Sequence, residues 1–274
     1  MRLESTAMRS ATARCPLLCA LVVALACDEK PSPVPTADSA APAATPTSVP
    51  APTPTPTPEP SPVTQRPKKT LADCAKGKEV AFEQKEIELE VRRKIPKAEG
   101  AITSADLKRL RSLNLSQVKL ADLDVCLFSQ LSGLKELFLG PGEFDDLSPI
   151  AGSTRLESLR ASINRVEDLS PLAKMTKLDR LDLGRTRVAD LKPLSALTKL
   201  TELQLDDTQV EDLSPLAALT ELETLSLKRT KVKDVSALKG LKKLKVLYIN
   251  GSPLDADVMA VAPVRANGTK IISD

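Results

Sequence analysis

The chain contains no histidine and no tryptophan, and only one tyrosine and four phenylalanines among its 274 residues. Missing histidine removes the side chain that performs most acid–base and metal-binding work near neutral pH. No glycine-rich phosphate loop and no serine elbow occur either. Long apolar runs are equally scarce. The one such run, residues 16–26, is too short to cross a bilayer as a mature helix. Composition therefore points away from an enzyme, and no cofactor or metal is expected.

That apolar run has its own meaning. Arg2, Arg9 and Arg14 precede it, and it contains Leu17, Leu18, Leu21, Val22, Val23 and Leu25 before small residues. Basic residues, a short apolar stretch and a small-residue cut describe a secretory signal. Met1 and Met8 both provide an adequate start. Removing residues 1–26 takes away three arginines and one glutamate, so the net charge falls from +3 to +1. The basic balance is partly a property of the signal and does not argue for nucleic acid. Beyond it, residues 31–67 hold thirteen prolines, with Thr53-Pro54-Thr55-Pro56-Thr57-Pro58 at their centre. Such a stretch buries no core, stays extended and can reach roughly 100 Å. It reads as a tether in preference to a proline-rich ligand.

The signal ends Ala24-Leu25-Ala26-Cys27, which resembles the lipobox of bacterial lipoproteins, with Ala24 where that family prefers leucine. The resemblance implies that Cys27 is diacylated and becomes the first mature residue, anchoring the chain to a membrane of the bacterial envelope. The aspartate that follows, Asp28, implies inner-membrane retention under the enterobacterial sorting rule, a rule that varies between bacterial groups. The alternative is an ordinary signal cut that leaves Cys27 a plain thiol.

From Leu134 the sequence repeats every 22 residues: Leu134, Leu156, Leu178, Leu200, Leu222 and Leu244 each open a unit. Counting from that leucine, position three reads Leu137, Leu159, Leu181, Leu203, Leu225 and Leu247. Position five reads Leu139, Ala161, Leu183, Leu205, Leu227 and Ile249. A second apolar pair falls at ten and thirteen, as in Val188 with Leu191 and Val210 with Leu213. One coil cannot bury its leucines alone, so neighbours must stack into a solenoid with one short strand per coil. Positions three and five then point inward, and two, four and six point outward from a parallel sheet. Ser148, Ser170 and Ser214, each followed by proline, read as helix N-caps that begin a short helical return. Leu110 opens an earlier coil that is two residues longer, through Leu113, Leu115, Leu120 and Leu123.

These units are similar to the bacterial internalin-type leucine-rich repeat; residues 200–221, LTELQLDDTQVEDLSPLAALTE, follow its pattern almost throughout. Residues 80–107, with Ile87, Val91 and Ile95 in a charged helix, resemble that family's amino-terminal cap. The expected fold is α/β: a leucine-rich-repeat solenoid with a concave parallel sheet, short helical turns on the convex side and an amino-terminal helical cap. The chain divides into a signal (1–26), a lipid-attachment cysteine and disordered tether (27–70), the cap (71–109), the repeats (110–254) and a carboxy-terminal cap (255–274). The resemblance also implies that position eight (Asn164, Thr186, Thr208, Thr230, Ser252) faces inward and bonds the backbone of adjoining coils. Position twelve is aspartate in Asp146, Asp168, Asp190, Asp212 and Asp234. Stacking spaces these carboxylates about 5 Å apart, which invites a calcium reading. Without a glycine-rich acidic loop, local bonds to turn amides are the better account.

Two thiols remain once Cys15 and Cys19 leave with the signal and Cys27 takes lipid. Export favours pairing of Cys74 with Cys126, the alternative being two free buried cysteines. Binding is expected on the concave face, where a solenoid exposes an extended hollow. Charge there alternates in blocks. Glu136, Phe138 and Glu143 come first, then Arg160, Arg165, Arg180, Asp182, Arg185 and Arg187. Gln204 stands beside Glu202, Asp206 and Asp207, and Lys228, Arg229 and Lys231 precede Tyr248 and Asn250. Arg160, Arg180, Arg185 and Arg187 are expected to form the densest cluster. A mutually neutralising solvated surface accounts for much of this, and a polar partner surface is the functional reading. The leading expectation is a non-enzymatic lipoprotein of the bacterial envelope that recognises another protein. A glycan- or cell-wall-binding protein is the alternative, and a plain structural spacer a third.

Overall fold

A computed structural model describes residues 69–74, 79–97, 99–257 and 259–273. The signal, Cys27 and nearly all of the tether lie outside the described residues. Eight three-residue strands form one parallel sheet in strict chain order. They are β1 (Ser112–Asn114), β2 (Glu136–Phe138), β3 (Ser158–Arg160), β4 (Arg180–Asp182), β5 (Glu202–Gln204), β6 (Thr224–Ser226), β7 (Val246–Tyr248) and β8 (Lys270–Ile272). The register places Leu113, Leu137, Leu159, Leu181, Leu203, Leu225, Leu247 and Ile271 in one line across the sheet.

Burial explains the register. The leucines that open each unit, and those at positions three and five, are at most 2% exposed from Leu134 to Ile249. A one-residue slip would turn a whole line of leucines to the opposite face, so the hydrophobic effect pins each strand against its neighbour. The small Ala161 is also fully buried within the position-five column.

Each coil returns through a short 3-10 turn: Ser148–Ile150, Ser170–Leu172, Lys192–Leu194, Ser214–Ala218 and Ser236–Gly240. The serines do not cap these turns. Each is already the first helical residue, its predecessor has φ near −100° and ψ near zero, and no cap residue's side chain bonds the turn. The cap is the position-twelve aspartate. Asp146, Asp168, Asp212 and Asp234 accept the backbone N–H of Ser148, Ser170, Ser214 and Ser236 at 2.7–2.8 Å, and Asp190 accepts that of Lys192 at 2.9 Å. A carboxylate two residues ahead reaches that amide in an Asx-type turn, which leaves the serine free to enter the helix. The serine hydroxyls and then the backbone amides hold the carboxyls of Asp168, Asp212 and Asp234 below their ordinary value.

Position eight also departs from expectation. Asn164, Thr186, Thr208, Thr230 and Ser252 are buried. Their bonds stay within their own coil, where Thr186, Thr208 and Thr230 donate to the carbonyls of Leu183, Leu205 and Leu227 at 2.6–2.8 Å. Asn164 donates to Ala161 and accepts from the Val166 amide at 2.9 Å. A neighbouring strand stands roughly 4.8 Å away, whereas a turn in the same coil brings the carbonyl three residues back within reach of a short hydroxyl. The hydroxyl of Ser252 is buried without a partner among the described residues.

Both ends of the core are covered. Helix α1 (Lys85–Lys94) buries Ile87 and Val91, and α2 (Ser104–Arg109) buries Leu107. Thr103 and Asp106 cap α2 reciprocally, and the Thr103 hydroxyl and amide lower the Asp106 carboxyl to about 2. Helix α3 (Val125–Phe128) follows in the longer first coil. That coil presses against the second so closely that a Cβ at Gly140 would stand 2.0 Å from the Val118 carbonyl oxygen. At the far end α4 (Ala262–Arg265) buries Val264, and Thr269 donates to the Leu244 carbonyl at 2.7 Å.

The aspartate turns have a testable consequence. Replacing Asp168 with alanine should cost about 1 kcal/mol, as losing a cap does, and lower the melting temperature by roughly 2–4 °C. Its folded pKa is depressed, so its contribution is complete above the ordinary carboxylate range and vanishes as pH falls through the folded value. Thermal melts from about pH 6 to about pH 2 should show the wild-type and Asp168→Ala proteins converging in acid. A difference that does not change with pH would contradict the assignment.

Candidate functional site

The outward positions of the sheet form two rows, fixed by the same register that buries the leucines. One runs Ser112, Glu136, Ser158, Arg180, Glu202, Thr224, Val246 and Lys270; the other runs Asn114, Phe138, Arg160, Asp182, Gln204, Ser226, Tyr248 and Ile272. In the first row the small Ser158 lies between two long neighbours, Glu136 and Arg180. A hollow of about 190 Å³ opens there, walled by Glu136, Phe138, Arg160, Arg180, Asp182 and Gln204, among others.

The side chains around it are partly ordered by one another. Arg160 stands 3.0 Å from Asp182, with its guanidinium carbon 5.9 Å from the Phe138 ring centre. Asp182 also accepts the Gly184 amide at 3.0 Å. Arg180 is 3.7 Å from Asp179. Glu202 accepts from Gln204 at 2.7 Å. Both arginine side chains remain more than half exposed, at 51% and 59%. At that exposure their ion pairs contribute little, so a partner can rearrange them at small cost.

The expected four-arginine cluster is not present as such. Arg160 and Arg180 line the hollow, and Arg185 and Arg187 do not. Arg187 pairs with Glu167 at 3.5 Å. Arg185 lies 3.5 Å from Asp207, which Arg229 also clasps through a second bond of 2.6 Å. That bond from Arg229 holds the Asp207 carboxyl below its ordinary value against the opposing effect of burial, and Arg185 adds to it. Asp206 is likewise engaged, accepting from the Ser226 hydroxyl and from the Lys228 amide at 3.1 Å. Lys228 reaches over the Tyr248 ring, 4.6 Å from its centre. Regular outward spacing does not make neighbouring charges act together, because each coil's carboxylates recruit cations of the adjoining coils.

One feature of this rim has almost no signature in the sequence. Position seven adopts a left-handed backbone in successive coils: Ile163 (φ 61°), Arg185 (57°), Asp207 (57°), Arg229 (52°) and Gly251 (66°). Each of the four side-chain-bearing residues keeps its N–H in the ladder, at 2.7–2.9 Å from Gly184, Asp206, Lys228 and Asn250. The chain then curls so that position eight faces the carbonyl of position five. A turn of this kind requires positive φ at its third residue, where glycine is usual. Gly251 alone advertises it, and isoleucine and arginine there conceal it.

A second hollow, about 310 Å³, lies between the cap and the first coils. Three of its acids already have partners. Asp124 caps α3, Asp146 caps the turn at Ser148, and Glu83 pairs with Lys69. Cys74 and Cys126 lie elsewhere with their Cα atoms 5.3 Å apart. Among the described residues, no group of three or more Cys, Asp or Glu side chains is arranged to hold a metal.

The family model described as two copies of leucine-rich repeats matches residues 154–196 and 176–218. Residues 154–218 carry leucine-rich repeats. Among solved structures the solenoid is similar to an internalin C2 from Listeria monocytogenes, at 24% identity and a TM-score of 0.58, covering 70% of this chain and 94% of that one. It is also similar to an internalin (inlF) of the same organism, at 24% identity and a TM-score of 0.54, covering 69% and 64% respectively. At these identities the likeness is one of fold. No curated protein matches the chain.

The left-handed rim of the leucine-rich-repeat sheet can be tested directly. Ile163 is β-branched and 47% exposed, so it has strain to lose and little burial. Ile163→Asn should stabilise the protein by about 1 kcal/mol, because asparagine tolerates this region and isoleucine does not. Urea denaturation measures it. An unchanged or lower midpoint would show that position seven is not left-handed in solution.

Proposed function

We propose that this chain is a non-catalytic recognition protein that receives a polypeptide partner on its concave sheet, centred on the hollow at Ser158. The observation that carries the proposal is the wall of that hollow: Phe138 beside two exposed arginines and three carboxylates. A mixed-sign rim with an aromatic side chain suits a polar protein surface, where complementary charges set register and encounter rate. An anionic glycan would meet Glu136, Asp182 and Glu202 along with Arg160 and Arg180, which makes it the poorer fit. The repeats are read as internalin-type from their period of 22 residues.

The proposal extends to where the protein works. The apolar run ending at Cys27, followed by the proline-rich segment, supports export and lipid attachment in a bacterial envelope. An exported chain favours a bond between Cys74 and Cys126, and their 5.3 Å Cα separation lies within the range a disulfide requires. The bond would tie the cap to the longer first coil. Closing that loop would stabilise the fold by about 4 kcal/mol in the chain-entropy account.

Two measurements test this. Arg160→Glu combined with Arg180→Glu should leave the melting temperature within a few degrees, since both side chains are exposed. Capture of a protein partner from detergent-solubilised envelope should fall by more than about tenfold, with steeper salt dependence for the wild type. Undiminished capture would remove the concave assignment, and recovery of a polysaccharide in place of a protein would replace the partner class. Separately, unreduced mature protein should show no alkylatable thiol, with acyl mass on Cys27. A free thiol at Cys27 ends the lipoprotein reading, and labelled Cys74 and Cys126 end the disulfide.

A further inference from the structure

The repeats are not electrically uniform. Residues 228–274 carry ten lysines and arginines against four acids, a net +6, while the preceding 227 residues carry 29 against 32, a net −3. The excess arises at defined positions of the last full unit. At position seventeen the four earlier units have Ala151, Ala173, Ser195 and Ala217, and this one has Lys239. At position twenty they have Thr154, Thr176, Thr198 and Thr220, and this one has Lys242. Position eleven changes sign, from Asp145, Glu167 and Glu211 in three of the earlier units to Lys233. The fold needs none of these lysines, because small and hydroxyl residues, or acids, occupy the same places in other coils.

Tertiary structure gathers the charge at one corner. The turn Ser236–Gly240 packs against α4, which brings Lys239 next to the helix that carries Arg265. Asn267, just beyond α4, ties the two segments, accepting from Lys242 at 2.7 Å and donating to the Lys239 carbonyl at 2.9 Å. Lys243 and Lys245 are neutralised by Glu221 and Glu223 of the preceding coil, at 2.6 Å each. Among the described residues Lys239, Lys242 and Arg265 of this corner have no carboxylate partner, and all are exposed. Met259 belongs to the same corner. Its carbonyl accepts from Ala262, the first residue of α4, at 3.1 Å, and it is 78% exposed.

We infer that this convex corner is an electrostatic docking surface for an anionic lipid bilayer. The charges are mostly lysine ammoniums, point charges that serve a diffuse anionic surface, where arginine forks would suit a directed contact. They sit on an outward-bulging face beside an exposed, flexible apolar side chain, which suits the boundary between headgroups and acyl chains. Attraction to an anionic leaflet acts over about one Debye length and adds roughly fivefold in partitioning per cation near the surface. The inference is independent of the partner on the concave sheet and of lipid on Cys27.

The test uses the mature chain, residues 27–274, bearing Cys27→Ser, so that neither an acyl chain nor the signal's apolar run and arginines contribute. Co-sedimentation is compared between vesicles of phosphatidylcholine alone and the same vesicles with phosphatidylglycerol added. Anionic vesicles should retain the protein more than about tenfold better, with the difference lost in high salt. Lys239→Ala with Lys242→Thr restores the residues of the preceding unit and should lower anionic binding about 25-fold at two cations. Equal binding to both vesicles, or full binding by the lysine variant, overturns the inference. So does retention by an acidic polysaccharide or protein with none by anionic vesicles.

Discussion

A coil of 22 residues cannot bury its own leucines, and everything else in this protein follows from their having to meet across coils. A strand of three residues makes too few hydrogen bonds to hold its place alone. It is held because its central leucine must lie against the leucines of the strands before and after it, a line unbroken from Leu113 to Ile271. The two ends of such a column would face water, so the cap with α1 and α2 closes one and α4 with β8 closes the other.

Stacking also sets the polar wiring. Each coil turns twice, and at both turns some backbone groups are left unpaired by the ladder to the neighbouring coils. The aspartates at position twelve serve one turn, and the threonines and asparagine at position eight serve the other. Both solutions are local and therefore repeat with the coil. The periodic aspartates are thus explained by helix entry, and their lowered pKa values follow from the serine hydroxyls and amides that surround them.

What remains free to vary is the outside. On the concave face, carboxylates and cations of adjacent coils pair across the strand spacing, so most of the charge is already matched. Function has room where that matching fails. It fails at Ser158, where a small residue leaves a hollow between long neighbours, and at the last coil, where lysines replace alanine and threonine without gaining carboxylates.

Periodicity alone specified the solenoid, the parallel register, the inward columns and the two outward rows, because leucine burial depends only on spacing along the chain. It also identified Arg160, Arg180 and Phe138 as outward residues near one another. Three things were decided only by the folded chain. The serines lost the capping role expected of them, because one residue of shift in the helix start puts them inside the turn, whereas the bonds from the aspartates to turn amides were legible from the sequence. The left-handed backbone at Ile163, Arg185, Asp207 and Arg229 was invisible, because residues with side chains were held there by the ladder and the turn. The partition of the arginines, with Arg160 and Arg180 at the hollow and Arg185 and Arg187 drawn elsewhere, depended on contacts between residues about twenty positions apart. Sequence spacing fixes which way a side chain points, but the nearest opposite charge is a matter of three dimensions.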